Sequence, residues 1–191
     1  MLFISDSFKN SNYIDIVKET VRELKDPNVD SYSVKPHKFP YLQSVVRFND
    51  EQGLKKVHGF VNFTDLLHEN YSLENLPSFP SAFDPANIQF TSGTTGRPKA
   101  ATLTHYNILN NGYIIGNRCK FTEKDNICIP VPLYHCFGMV MGNLAALTRG
   151  GTATYVCQGF DPTKALEAVT KYDCTALYGV PTMFSEYLRV Y

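Results

Sequence analysis

The chain has 191 residues, 43% of them hydrophobic and 19% charged, with 18 Lys+Arg balanced by 18 Asp+Glu. That is enough for one sizeable core and an ordinary globular composition. Zero net charge and no basic stripe interleaved with aromatics argue against a nucleic-acid partner, and no apolar run approaches the roughly 18 residues of a membrane span.

Leu2 to Ile4 reads as a short strand, with Ser5-Asp6-Ser7 as a turn. Met1-Leu2-Phe3-Ile4 lacks a basic leader and is too short for a signal peptide, so it reads as the first strand of a fold entered partway through. From Asn12, apolar residues at Ile14, Val17, Val21 and Leu24 follow helical spacing, and the helix stops near Asp26-Pro27. Tyr32 to Pro40 is a loop, Leu42 to Phe48 a strand, Asn49 to Gly53 a turn, and Phe63 to Glu69 one or two helical turns. Leu76 to Pro85 carries Pro77, Pro80 and Pro85 and reads as irregular.

The pattern then becomes regular. Ile88 to Thr91 is a strand followed by a hydroxyl-rich loop, and Ala101 to Leu103 is another strand. Thr104 is a natural N-cap for a helix over His105 to Arg118, which is asparagine-rich and must be held by packing. Asn126 to Val131 is a strand, Phe137 to Leu147 a buried helix, and Thr152 to Val156 a strand after the Gly150-Gly151 turn. Asp161 caps a helix through Lys171 with Pro162 in the favoured first position, Thr175 to Tyr178 is a strand, and Thr182 to Val190 is a final helix. Strands alternating with helices predict an α/β fold of mainly parallel sheets covered by helices. The five cysteines form no C-x-x-C pair and read as buried reduced thiols; together with the histidines they show no metal-ligand spacing.

The loop Thr91-Ser92-Gly93-Thr94-Thr95-Gly96-Arg97-Pro98-Lys99 is the richest in chemistry. Hydroxyls and bare amides suit phosphate oxygens, glycine permits close approach, and lysine supplies a point charge. It is not a Walker loop, because Arg97-Pro98 separates Gly96 from Lys99 and Ala100 stands where a magnesium-binding hydroxyl is needed. A solvated turn is the plain alternative.

Together with Ile88-Gln89-Phe90, this run resembles the signature of the adenylate-forming superfamily, which includes the acyl-CoA synthetases, the luciferases and the adenylation domains of peptide synthetases. Ala100 departs from the glycine usual there. Pro130-Val131-Pro132-Leu133-Tyr134-His135-Cys136-Phe137-Gly138 resembles the family's next core motif in its acyl-CoA synthetase form, and Tyr178-Gly179-Val180-Pro181-Thr182-Met183-Phe184 the turn beside the acyl pocket. The likeness runs from about Asp84 to the end, is looser before that, and is nearest to the medium-chain fatty acyl-CoA synthetases, including the mitochondrial acyl-CoA synthetase family.

The resemblance implies that residues 1–191 are part of one AMP-binding domain, an internal piece of the large N-terminal domain without its first portion or the C-terminal lid. It implies activation of a fatty acid with ATP to an acyl-adenylate, then transfer to coenzyme A. Thr91, Ser92, Gly93, Thr94, Thr95, Gly96, Arg97, Pro98 and Lys99 would hold the ATP phosphates. Lys99 and His135 would carry catalytic roles, and His135, Gly179, Pro181 and Thr182 would bind the acyl substrate, with Leu147, Met139 and Phe184 suggesting an apolar pocket. Magnesium is expected with the ATP, its protein ligands mostly beyond Tyr191, so the chain alone is expected to be catalytically incomplete. The mitochondrial matrix is the expected compartment and the cytoplasm its alternative. A non-catalytic nucleotide-binding or interaction module is the alternative function. A Cys136–His135 dyad is disfavoured because adjacent strand residues point to opposite faces, and His105 reads as a helix-end histidine.

Overall fold

A computed structural model describes residues 1–48, 56–67, 79–93 and 96–191. They fall into two compact units, Met1–Pro77 and Ser78–Tyr191. The turn expected over 49–53 lies outside the described residues, as do residues 68–69 of the expected Phe63 helix and 76–78 of the expected irregular stretch.

In the first unit, β1 (Leu2–Ser5), β4 (Val45–Phe48) and β5 (Val61–Asn62) form a parallel sheet with β4 in the middle. A small antiparallel hairpin, β2 (Ser7–Phe8) with β3 (Ser11–Asn12), leads into α1 (Tyr13–Thr20). The side chain of Asn12 caps α1 by accepting from the Asp15 amide at 3.2 Å. The helix is shorter than the apolar spacing predicts. Val21 leaves helical geometry at φ −112, and Arg22–Lys25 continues as a 3₁₀ turn. Spacings of three and four persist through that turn, so Val21 and Leu24 still reach the core beside Val34, Val45 and Phe60. A short helix, α2 (Phe63–Leu66), follows β5. Arg47, only 3% exposed, donates from Nε to Asp6 Oδ1 at 2.8 Å, pairs a second time with Asp6 through Nη2, and reaches Asn62 at 3.3 Å. A charge so buried is tolerable only with partners of this quality.

The second unit contains the parallel sheet β10 (Ala176–Leu177), β8 (Asn126–Cys128) and β9 (Thr152–Thr154), with β8 central. Ile127, Ile129, Val131, Ala145, Ala165, Met183 and Tyr187 make its core. Helices α5 (Pro162–Lys171) and α6 (Pro181–Val190) pack against one another. Asp161 caps α5 by accepting from the Lys164 amide at 3.1 Å, with Pro162 in the first turn, as expected. Helix α3 (His105–Arg118) also has the expected bounds. Thr104 and Asn107 close a reciprocal capping box, each side chain accepting from the other's amide at 3.1 Å.

The expected buried helix is present but wound differently. Phe137–Leu144 is a π-helix, here π1, continued by α4 (Ala145–Thr148). Its buried side is made of Gly138, Val140, Gly142, Ala145 and Ala146, whereas Leu147 is 71% exposed. Two glycines of α3 let the helices close: a Cβ on Gly112 would lie 2.6 Å from Leu144 Cβ, and one on Gly116 3.0 Å from the Ala145 carbonyl. That contact, more than propensity, holds the asparagine-rich α3.

The two three-stranded sheets are parallel, as predicted; besides the β2–β3 hairpin, the exception is where the hydroxyl-rich signature lies. There β6 (Pro85–Thr91) pairs with β7 (Lys99–Thr104) as an antiparallel hairpin. Its outward residues Ile88 and Phe90 are 57% and 65% exposed. The cysteines are unpaired, but the expectation of buried thiols holds only in part. Cys128 is buried and Cys174 half-buried, while Cys119, Cys136 and Cys157 are exposed because they sit in turns and at a helix end.

Candidate functional site

The signature loop connects the two strands of the β6–β7 hairpin, whose last register pair is Thr91 with Lys99. Lys99 is therefore a strand residue, held across from the threonine that opens the loop. The Gly96 amide donates to the Gly93 carbonyl at 3.2 Å, and Gly96 adopts φ +81, where a side chain is strained. A Cβ on Gly93 would lie 2.1 Å from the Arg97 carbonyl, so no larger residue fits there. Ser92, Arg97, Pro98 and Lys99 are exposed, and Thr94 and Thr95 lie outside the described residues. Among the described residues no helix starts at this loop, and α3 begins at His105. Anion binding here would rest on amides, hydroxyls and the Arg97 and Lys99 charges, without a helix dipole.

The second motif is a turn running into π1. The His135 amide donates to the Pro132 carbonyl at 3.2 Å, and the Met139 amide to the His135 carbonyl at 3.0 Å. The Phe137 amide donates to His135 Nδ1 at 3.1 Å. That contact assigns the lone pair to Nδ1 and, in the neutral ring, the proton to Nε2. Cys136 Sγ lies 3.7 Å from the same Nδ1. The strand argument against a Cys136–His135 dyad thus does not apply, because these residues occupy a turn. The dyad is disfavoured instead because the Phe137 amide already occupies the nitrogen that would act as base.

His135 lines a cleft of about 250 Å³ with Val131, Pro132, Tyr134, Phe137, Val180 and Met183. The second and third sequence motifs therefore meet. Within the third motif, the residues on the cleft are Val180 and Met183, while Gly179, Pro181 and Thr182 flank it. Gly179 packs on the Phe184 ring, which a Cβ there would approach to 3.1 Å. Neither Leu147 nor Met139 lines the cleft.

Behind the cleft, the Tyr178 hydroxyl donates to the Met141 carbonyl in π1 at 2.8 Å, and its ring packs on Phe137 at 5.4 Å. Burial, reinforced by Cys119, pushes that hydroxyl well above its ordinary pKa and keeps it a donor. A π-helical stretch changes which carbonyls are taken up within the helix, and such stretches concentrate at functional sites.

Two residues tie the hairpin to this motif. Gln89 Nε2 donates to the Tyr134 carbonyl at 3.2 Å, and Asn87 Nδ2 lies 3.9 Å from Met139 Sδ. The sequence places Gln89 in a strand and in the signature run, with no role of its own. The available signal was two amides at i, i+2, which share one face of β6.

The profile of the AMP-binding enzymes matches residues 16–191. The chain belongs to the AMP-binding enzyme family. Within this family, it is 38% identical over 193 residues to the medium-chain acyl-CoA ligase ACSF2, mitochondrial, of Homo sapiens, covering 98% of this chain and 31% of that protein. Among solved structures, ATP-bound MatB from Rhodopseudomonas palustris is 34% identical with a TM-score of 0.51, covering 56% of this chain and 21% of that one. Apo MbtA from Mycobacterium smegmatis superposes over 95% of this chain and 29% of its own, with a TM-score of 0.68 at 23% identity, a likeness of fold. The chain spans between about a fifth and a third of the length of the curated relatives it matches.

Proposed function

We propose that this chain provides the phosphate loop and acyl cleft of an AMP-forming acyl-CoA ligase acting on medium-chain fatty acids, as part of one AMP-binding domain. In the reaction, a carboxylate oxygen attacks the α-phosphorus of ATP and pyrophosphate leaves. The thiol of coenzyme A then attacks the acyl carbon and AMP leaves. The observation that carries this reading is the physical link between the signature hairpin and the His135 cleft, from the Gln89 side chain to the Tyr134 carbonyl.

The roles follow from charge and exposure. Thr91, Ser92, Gly93 and Gly96 offer hydroxyls and amides to the β- and γ-phosphates, with Thr94 and Thr95 assigned to the same task. Arg97 and Lys99 offset charge on the polyphosphate, which otherwise repels the attacking carboxylate and burdens the leaving pyrophosphate. His135, with its proton on Nε2, offers a donor to the fatty carboxylate. Val180 and Met183 contact the alkyl chain, with Gly179, Pro181 and Thr182 shaping the turn that carries them. A cleft of about 250 Å³ is small beside the ~300–1,000 Å³ of drug-sized sites and suits a short or medium chain. Magnesium accompanies the nucleotide in this chemistry, with its protein ligands expected mostly outside these residues. The ACSF2 likeness supports the mitochondrial matrix as the compartment.

The test is binding of magnesium-ATP by calorimetry and of carboxyl-labelled octanoate by NMR, each with Lys99→Ala. Losing a charge-assisted contact of about 1.5–3 kcal/mol weakens ATP roughly 10- to 100-fold and leaves octanoate unchanged. Failure to bind either ligand, or ATP binding indifferent to Lys99→Ala, would overturn the reading. In a chain of the relatives' length, ATP–pyrophosphate exchange with octanoate, lost in Lys99→Ala, is the expected activity.

A further inference from the structure

We propose that Gln89 is a positioning residue that couples nucleotide binding at the hairpin loop to acyl binding at the His135 cleft. This rests on the functional reading above and adds a residue and a route to it.

The argument begins with an inverted strand. β6 exposes Ile88 and Phe90 and turns the amides of Asn87 and Gln89 inward, each half-buried. Apolar residues are expected on the inward face of a strand, so inward amides call for partners. Gln89 has one: its Nε2 lies 3.2 Å from the Tyr134 carbonyl, 45 residues away in the chain. The same Nε2 is 3.5 Å from the Phe90 carbonyl, a longer and purely local contact.

What the Tyr134 carbonyl belongs to gives the contact its meaning. It forms one planar peptide unit with the His135 amide. That unit is pinned at two points, by Gln89 on its oxygen and by the Pro132 carbonyl on its N–H at 3.2 Å. Rotating the plane moves the His135 Cα and, with it, the ring that lines the cleft. Gln89 stands two residues before Thr91, which pairs with Lys99 at the root of the loop. Any twist of β6 at the Thr91–Lys99 pair when polyphosphate binds therefore reaches the His135 peptide directly. Asn87, on the same face, contributes only a long contact to Met139 Sδ at 3.9 Å. The hydrogen bond from Gln89 is the shorter tie.

The experiment compares the unsubstituted chain with Gln89→Met, which keeps length and flexibility and removes the donor. Octanoate affinity is measured by NMR with and without saturating magnesium and an ATP analogue that cannot be cleaved between its α- and β-phosphates. One hydrogen bond of this kind carries about a twofold to tenfold effect. The unsubstituted chain is expected to change its octanoate affinity by that factor when the analogue binds. Gln89→Met is expected to bind the ATP analogue alone as the unsubstituted chain does, to bind octanoate alone a few-fold more weakly because His135 is no longer held in place, and to lose the mutual effect. In the absence of ligand, the His135 and Phe137 amide resonances and the His135 ring resonances shift in Gln89→Met, while those of β8 and α5 stay in place and show that the variant is folded. Binding of both ligands with no mutual effect, an effect that survives Gln89→Met, or an unmoved His135 overturns the coupling alone. Failure of the unsubstituted chain to bind either ligand overturns the functional reading and the coupling with it.

Discussion

The signature hairpin and the His135 cleft are neighbours built on opposite principles. The hairpin loop is exposed, polar and shaped by backbone: Gly93 has no room for a side chain, Gly96 takes a left-handed conformation, and hydroxyls and cations stand at the surface. The cleft is apolar and shaped by side chains, with one imidazole among aliphatic and aromatic walls. The difference matches the two ends of the proposed reaction. A polyphosphate is best met by many small donors that need no desolvation of their own, an alkyl chain by a surface already dry. Beyond the few-fold effect carried by the Gln89 tie, damage to one region should therefore fall on its own ligand.

The largest separation is expected from Gly93→Val. Its side chain meets the Arg97 carbonyl and forces the loop open, removing two or more charge-assisted contacts, so ATP affinity falls by more than about 100-fold. Octanoate binding measured on the same sample stays unchanged.

The converse is Met183→Ala. Met183 is both core and cleft wall, so truncation costs about 2–5 kcal/mol in urea unfolding. It also shifts the preference among fatty acids toward longer chains, with ATP binding retained.

The comparison extends to pH. Burial pushes the Cys128 thiol from its usual 9.0 up to about 11, with Cys174 adding to it, and the Tyr187 hydroxyl from 10.0 up to about 12, with Cys128 adding to it. Both folded-state values are raised, so both groups contribute stability that is complete below pH 9 and is lost as pH climbs through about 9 to 12. The loss is roughly 3 kcal/mol per group at most. Tyr187→Phe removes the upper part of this alkaline decline, and because its hydroxyl is buried with no hydrogen-bond partner among the described residues, it raises stability at neutral pH by about 1 kcal/mol. Thermal unfolding across pH 7 to 12 reads both effects; an unchanged alkaline slope in Tyr187→Phe would sink the assignment.

The smallest effect is expected from Tyr178→Phe. It leaves the Met141 carbonyl without its side-chain donor, costs about 1 kcal/mol, and alters octanoate affinity by a few-fold while leaving the loop alone.

What the sequence disclosed follows the range of the forces involved. The caps at Thr104 and Asp161 act within three residues, and the bounds of α3 and α5 follow from them. The end of α1 was missed because the 3₁₀ turn keeps Val21 and Leu24 on the apolar face, so spacing alone does not register the change in winding. The π-helical winding of Phe137–Leu144 is invisible for another reason. Its apolar residues fit an α-helix equally well, whereas Gly138 packs on the Pro132 carbonyl outside the helix, and Gly142 against Ile129 and the Tyr178 hydroxyl on Met141 are long-range contacts. The turn of the third motif was legible, and the structure puts Val180 and Met183 of it on the cleft, with Gly179, Pro181 and Thr182 beside them. Composition names the turn, but which side of it faces the space depends on how α6 packs. Gln89 stood in the strand and the signature without a role of its own, since its partner lies on another element.

The outward face of the β6–β7 hairpin bears on how this protein is handled in the laboratory. Among the described residues no third strand joins the pair, and Ile88 and Phe90 stand in the open beside unpaired backbone. A two-stranded ribbon of that kind is a template on which a second molecule can add, so sample loss at millimolar concentration should begin there. A lysine at position 90, on the face away from Gln89, is the substitution to make before any crystallisation or spectroscopy, because it places a like charge on every molecule at the spot where two would stack.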